Sequence, residues 1–185
     1  MKNGYFKNRL FILNQKGIET INTVYRHYGS NKFDRKLLES SFNSEIKRKY
    51  DRMEWKPFGL WGSPVECNAY TWEEWCLGED FHIEKLSSHF NFTLKKSARI
   101  LKIINVEDAF PYIYRGNLSK LWNNFEDWRY SIGAKLNLNL IYKEFDAMEV
   151  SYSKTSDFSA LRYSVFNTWD CDSIVVWNPN MIVSI

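Results

Sequence analysis

Apolar and polar positions along this chain follow two different periods, and the switches between them mark out its elements. An apolar residue at every second position predicts a half-buried strand, and apolar residues three and four apart predict a helix. Residues 18–28, IETINTVYRHY, are rich in β-branched and aromatic types and read as a strand. Alternation puts Val24, Arg26 and Tyr28 on one face and Thr23, Tyr25 and His27 on the other, and Gly29 and Ser30 end the run. From Asp34 to about Arg52 the pattern is polar and helical, with Leu37, Leu38, Phe42 and Ile46 as a narrow apolar stripe. Residues 88–95 alternate Phe90, Phe92 and Leu94 against polar positions, and residues 99–105 (RILKIIN) follow after a short link, which predicts a hairpin of neighbouring strands. A turn is expected at Pro111 within residues 106–114, and residues 118–130 have helical periodicity. Residues 136–143 fit either a helix or a strand. Residues 146–152 (DAMEVSY) read as a strand, 158–166 as a short helix, and 173–177 (SIVVW) as a late apolar strand ended by Asn178 and Pro179. The expected architecture is one mixed α+β domain over residues 1–185, with about six strands and helices inserted between them.

The stretch from Lys56 to Phe81, KPFGLWGSPVECNAYTWEEWCLGEDF, holds Trp61, Trp72 and Trp75. That much rigid aromatic surface in one segment lines either a core or a groove. Pro57 fixes an extended start; Gly59, Trp61 and Ser63 then share one side of a short strand, with Leu60 and Gly62 on the other. The two glycines permit a close approach to the backbone. Thr71 is a predicted helix N-cap, with Glu74 as its capping-box partner.

Composition changes this picture in three ways. The chain is 44% hydrophobic and 17% aromatic, enough to bury a full core. The apolar run Leu10–Leu13 near the start is too short for a signal peptide or a membrane span, and Cys67, Cys76 and Cys171 are an odd count without a close pair. A disulfide framework and a zinc site are therefore not expected, and the cytoplasm is the expected compartment. The net charge of +3 is uneven: residues 1–56 hold 13 Lys+Arg against 6 Asp+Glu. Such a half attracts phosphates, unless its lysines are simply the solvated face of a helix.

Polar residues stand on three strands where a buried strand would avoid them: Tyr25-Arg26, Ser63, and Glu149 within Asp146-Ala-Met-Glu-Val150. In that order they resemble the ADP-ribosyltransferase fold, where an aromatic-Arg pair, a serine motif and a late glutamate line a split mixed sheet that holds NAD. The segment KPFGLWGSP…TWEEWC and the late Trp169-Asp170-Cys171-Asp172-Ser173 are similar to small phage- and bacteria-associated proteins of the same fold. The resemblance implies an NAD-dependent enzyme that modifies RNA, DNA or protein, as a bacterial toxin or phage-conflict effector with a possible antitoxin or inhibitor protein as partner. It implies Arg26, Ser63 and Glu149 as the catalytic set, and Arg26, Tyr25, His27, Trp61 and Ser63 as NAD contacts. The chemistry suits these types. A guanidinium grips pyrophosphate, an aromatic ring stacks on nicotinamide, and a carboxylate stabilises the oxocarbenium-like ribose formed as the glycosidic bond breaks. The family's paired glutamates are not at their usual spacing here, since Ala147 stands two before Glu149. Asp170-Cys171-Asp172 is the late acid-x-acid pair, so Asp146, Asp170 and Asp172 are further candidates. Strand order favours Glu149, because one strand follows it.

For the acceptor, Lys47, Arg48 and Lys49 with Trp72 and Trp75 offer positive charge beside flat apolar faces, which favours a nucleic acid slightly over a protein. Two other readings belong to different classes. One is a non-catalytic nucleic-acid-binding module built on the basic, aromatic first third. The other is a metal-dependent glycosyltransferase-like enzyme using Asp170 and Asp172. His27, His82 and His89 have no ligand spacing with one another, and surface or core roles are their default.

Overall fold

The computed structural model describes residues 23–49, 56–66, 68–114 and 135–185, with the backbone alone for helix residues 44–49. Most of it is a mixed seven-stranded sheet in the order β4-β7-β8-β2-β1-β3-β9. The strands are β1 (Tyr25–Tyr28), β2 (Leu60–Pro64), β3 (His89–Leu94), β4 (Ile100–Ile103), β7 (Ala147–Val150), β8 (Ser173–Val176) and β9 (Ile182–Ser184). Every pairing is antiparallel except β4 with β7. A two-stranded ribbon, β5 (Ile113–Tyr114) with β6 (Lys135–Leu136), stands apart. Four α-helices are present among the described residues: α1 (Arg35–Lys49), α2 (Trp72–Glu79), α3 (Leu138–Glu144) and α4 (Phe158–Arg162). None of them is long and apolar enough to cross a membrane.

The sheet buries both faces, so its central strands carry apolar residues at consecutive positions. On one face Met148, Val150 and Val175 pack with Trp169, Phe166 and Trp177, and Trp61 lies against this cluster. On the other, Tyr25, Phe90, Phe92, Ala147, Ile174 and Val176 form a second cluster, which Leu38 of α1 covers.

Several expectations change here. β3 and β4 do not form a hairpin: β3 pairs with β1 and β9, while β4 lies at the far edge beside β7. Ile182–Ser184 adds an unexpected strand beyond the Asn178-Pro179 stop, because a short 3-10 turn at Pro179–Met181 redirects the chain to pair with β3. Residues 135–144 take both alternatives in turn, with β6 running into α3 at the Asn137 N-cap. Leu37, assigned to the narrow apolar stripe of α1, is 63% exposed, whereas Leu38 is buried. The helix expected at 118–130, and the part of the first strand before Thr23, lie outside the described residues.

Candidate functional site

The corner between β2 and α2 is built as its residues dictate. Gly59 lies against β8 so closely that a Cβ there would sit 2.6 Å from the Val176 carbonyl oxygen. Gly62 lies under the Phe92 ring, and an added Cβ would meet it at 2.8 Å. The Thr71–Glu74 capping box closes, with the Glu74 amide donating to Thr71 Oγ1 at 3.3 Å and the Thr71 amide donating to Glu74 Oε2 at 2.8 Å. Ser63 joins in: its Oγ accepts from the Trp72 amide at 2.9 Å, so the strand's last inward hydroxyl starts the helix.

Beside this corner opens a cleft of about 330 Å³. Arg26 and Tyr28 of β1, Trp61 and Ser63 of β2, and Trp72 of α2 form much of its wall. Trp169, Asp170 and Ser173 close it from the β8 side, and His82, Lys85 and Lys56 lie around it. The aromatic wall is closely packed. Trp61 and Trp169 pack with ring centres 4.5 Å apart, Lys56 Nζ sits 5.3 Å over Trp61, and Trp72 is stacked on Trp75 at 4.8 Å.

Charge is distributed unequally around the cleft. Arg26 donates from Nε to Asn91 Oδ1 at 3.0 Å, and its Nη1 lies 3.9 Å from Glu73 Oε2. That same carboxylate accepts from the Tyr28 hydroxyl at 2.9 Å; burial and then this bond push the Tyr28 phenol up to about 12. Asp170 lies 3.8 Å from Lys56 Nζ and 3.5 Å from Arg162 Nη1. His27 lies partly under the floor, its Nδ1–H donating to the Trp61 carbonyl at 2.7 Å. Burial holds its pKa below the ordinary value, against the opposing effect of that bond.

The structure brings together Arg26, Trp61, Ser63, Trp72 and Asp170 from the expected set, with His27 beneath them. Glu149 does not join them. It stands opposite Ile174 on the face that carries Tyr25 and Ala147, whereas Trp61 stands opposite Val175 on the other face. A strand shows successive side chains to opposite faces, so the sheet itself separates Glu149 from Arg26 and Ser63. Glu149 is buried near Tyr25, whose phenol is pushed up by burial and then by this carboxylate, and Lys102 Nζ lies 3.9 Å from its Oε2. Tyr25 is therefore packed in the core and is not among the residues that line the cleft.

Two of the other acids are tied into the scaffold. Asp146 accepts from the Arg99 amide, the Arg99 guanidinium and the Asn178 amide group. Asp172, 1% exposed, accepts from the Tyr70 amide at 3.1 Å, the Ser153 amide at 3.0 Å and the Ser153 hydroxyl. Asp172 is thus committed away from the cleft that Asp170 lines. Among the described residues no group of three His, Cys, Asp or Glu side chains is placed to hold a metal ion. Trp75 backs Trp72 instead of lining the cleft. The side chains of Lys47, Arg48 and Lys49 lie outside the described residues.

Lys56, His82, Lys85 and Trp169 are cleft residues that sequence reasoning did not assign. Their neighbours in the cleft are distant in sequence, and only the sheet order brings them together. A local sign existed for His82, since it lies just after the Gly78–Asp80 end of α2, where a chain turns sharply. No family model, no curated protein and no solved structure matches this chain.

Proposed function

We propose that the cleft binds NAD and that the protein is an ADP-ribosyltransferase whose working carboxylate is Asp170. One observation carries this reading: Arg26, Trp61 and Asp170, from β1, β2 and the loop before β8, line a single cleft with a pair of tryptophans in its wall. A guanidinium for phosphate, an indole face for a planar ring and a carboxylate for a ribose are the three groups the chemistry requires. In the reaction the bond between the ribose anomeric carbon and the nicotinamide nitrogen breaks, and its electron pair leaves with nicotinamide. Asp170 stabilises the positive charge that develops on the ribose, and an acceptor heteroatom then bonds to the anomeric carbon and loses its proton. Ser63 supports the site indirectly, because its hydroxyl fixes the start of α2 and so the position of Trp72.

The acceptor in this reading is a macromolecule. Among the described residues the lining carries Arg26, Lys56 and Lys85 against the carboxylate of Asp170, a balance that attracts a phosphate backbone. A toxin or phage-conflict effector restrained by an inhibitor protein is the setting that the sequence resemblance suggests.

The test is to incubate the purified protein with labelled NAD and cell lysate, then separate protein from nucleic acid. Label transferred by the wild type and by Glu149→Gln, but lost at least 100-fold in Asp170→Asn, is expected; removing one such electrostatic group costs about 10²–10³-fold in rate. The absence of both transfer and NAD consumption by the wild type removes the proposal. Loss in Glu149→Gln with Asp170→Asn active reverses the assignment of the carboxylate.

A further inference from the structure

We propose that the turn from His82 to Lys85 is an anion clamp that holds the diphosphate of the bound nucleotide. The identity of the ligand rests on the reading above, while the clamp itself rests on geometry and charge. Of the cations lining the cleft, Arg26 already faces Glu73, and Lys56 lies near Asp170 and over Trp61. Lys85 lines the cleft too, and it forms no ion pair with another described residue. His82 lies three residues before it and is held from behind, Nδ1 lying 3.1 Å from Glu84 Oε1. Its Nε2 makes no hydrogen bond with the described residues and remains to serve a ligand.

The backbone fixes these two side chains by an unusual route. Asp80 (φ 53°) and His82 (φ 50°) both adopt the left-handed conformation, and no other non-glycine among the described residues does so. Residues with a Cβ rarely adopt it, so two within three positions mean that surrounding contacts dictate the path of the chain. Those contacts are visible. Phe81, between the two, sets its ring edge-on to Trp75 at 5.2 Å and to Trp72 at 6.1 Å, and lies 4.2 Å from the His82 ring. Beyond His82 a 3-10 turn spans Ile83–Lys85, closed by the Lys85 amide donating to the His82 carbonyl at 2.9 Å. The turn is then fastened to the end of β1, where the Gly29 amide donates to the Ser88 carbonyl at 2.7 Å. The aromatic trio, of which Trp72 lines the cleft, therefore sets an imidazole and an ammonium in the same lining as Tyr28 and Arg26. A diphosphate offers oxygens to several donors at once. A lysine acts on it as a point charge and an N–H as a directed donor.

Calorimetric titration of the full chain with ADP, and with adenosine as the phosphate-free probe, tests the clamp. The wild type is expected to bind ADP more tightly than adenosine. In the double variant His82→Ala/Lys85→Ala the ADP affinity is expected to fall at least tenfold, with adenosine affinity unchanged. Lys85→Arg, which keeps the charge, is expected to stay within a few-fold of the wild type. An unchanged tryptophan fluorescence spectrum in the double variant checks that the Trp72–Phe81 cluster still packs.

The clamp is overturned if the wild type fails to prefer ADP, if the double variant binds ADP normally, or if it loses ADP and adenosine equally. The two proposals fail separately. ADP binding that depends on His82 and Lys85 without any NAD consumption keeps the clamp and removes the transferase. NAD consumption with an unchanged KM in the double variant does the reverse.

Discussion

Asp170 and Asp172 stand two residues apart in one loop, yet their surroundings predict opposite responses to the same substitution. Asp172 accepts from the Tyr70 amide, the Ser153 amide and the Ser153 hydroxyl, and its backbone amide donates to the Tyr70 carbonyl at 2.8 Å. Asn keeps one of the two acceptor oxygens and turns an NH2 group towards donors on the other side. A hydrogen bond to a charged group contributes about 1.5–3 kcal/mol, and a buried donor left without a partner costs about 1–3 kcal/mol. Asp172→Asn is therefore expected to cost about 3 kcal/mol. For a chain of this size that lowers Tm by roughly 6–12 °C. Among the described residues Asp170 has two ion pairs, at 3.8 and 3.5 Å, with Lys56 43% exposed and Arg162 30% exposed. Pairs so open to water contribute about 0–1 kcal/mol, so Asp170→Asn is expected to cost less than about 1 kcal/mol. Urea unfolding followed by tryptophan fluorescence measures both values. Equal costs, or a larger cost for Asp170, would refute the assignment of Asp172 to the scaffold and Asp170 to the cleft.

Gly62→Ala is expected to destabilise by about 1–3 kcal/mol, because its Cβ would meet the Phe92 ring at 2.8 Å. Gly78→Ala, in a helix with nothing within 4 Å, is expected to stabilise by about 0.5–1 kcal/mol; thermal unfolding reads both. For His27, whose folded pKa is depressed, the unfolded chain binds the proton more readily, so stability falls as pH drops through about 6.5 towards the folded value. Denaturation midpoints between pH 7.5 and 5 are expected to fall less in His27→Gln than in the wild type, and identical slopes would count against a buried neutral imidazole. Glu149→Gln replaces a buried carboxylate whose Oε2 has no hydrogen-bond partner among the described residues. It is expected to leave ADP affinity within twofold of the wild type by calorimetry, and a larger loss would place Glu149 in contact with the cleft.

What could be read along the chain was the local physics. The faces of β1, with Arg26 and Tyr28 turned away from Tyr25, follow from the two-residue period, and the Thr71–Glu74 box follows from its spacing. Glu149 marks the limit. Its own strand is where the pattern DAMEV put it, but alternation within a strand does not say which face it shares with Arg26 three strands away. That depends on register across β8 and β2, where a shift of one residue would exchange the faces. The distinction between Asp170 and Asp172 was out of reach for a related reason, since the groups that tell them apart, Lys56, Tyr70 and Ser153, come from three separate parts of the chain. The basic, aromatic character of the early segments was plain in composition, whereas the part of it that lines a cleft was set by the sheet order.

That sheet order also fixes how much of the chain must be made before the cleft exists. β8 joins β7 and β4 on one side to β2, β1, β3 and β9 on the other, and it starts only at Ser173. A nascent chain emerging from the ribosome N-terminus first therefore holds two unconnected groups of strands until the residues of β8 appear. Trp169, Asp170 and Ser173, which complete the cleft, arrive together with that strand. A chain stalled or cut ahead of Trp169 has every lysine and arginine of the cleft and neither its carboxylate nor its closing wall. A ligand that needs the whole cleft therefore has no complete site until the chain has been made past Ser173.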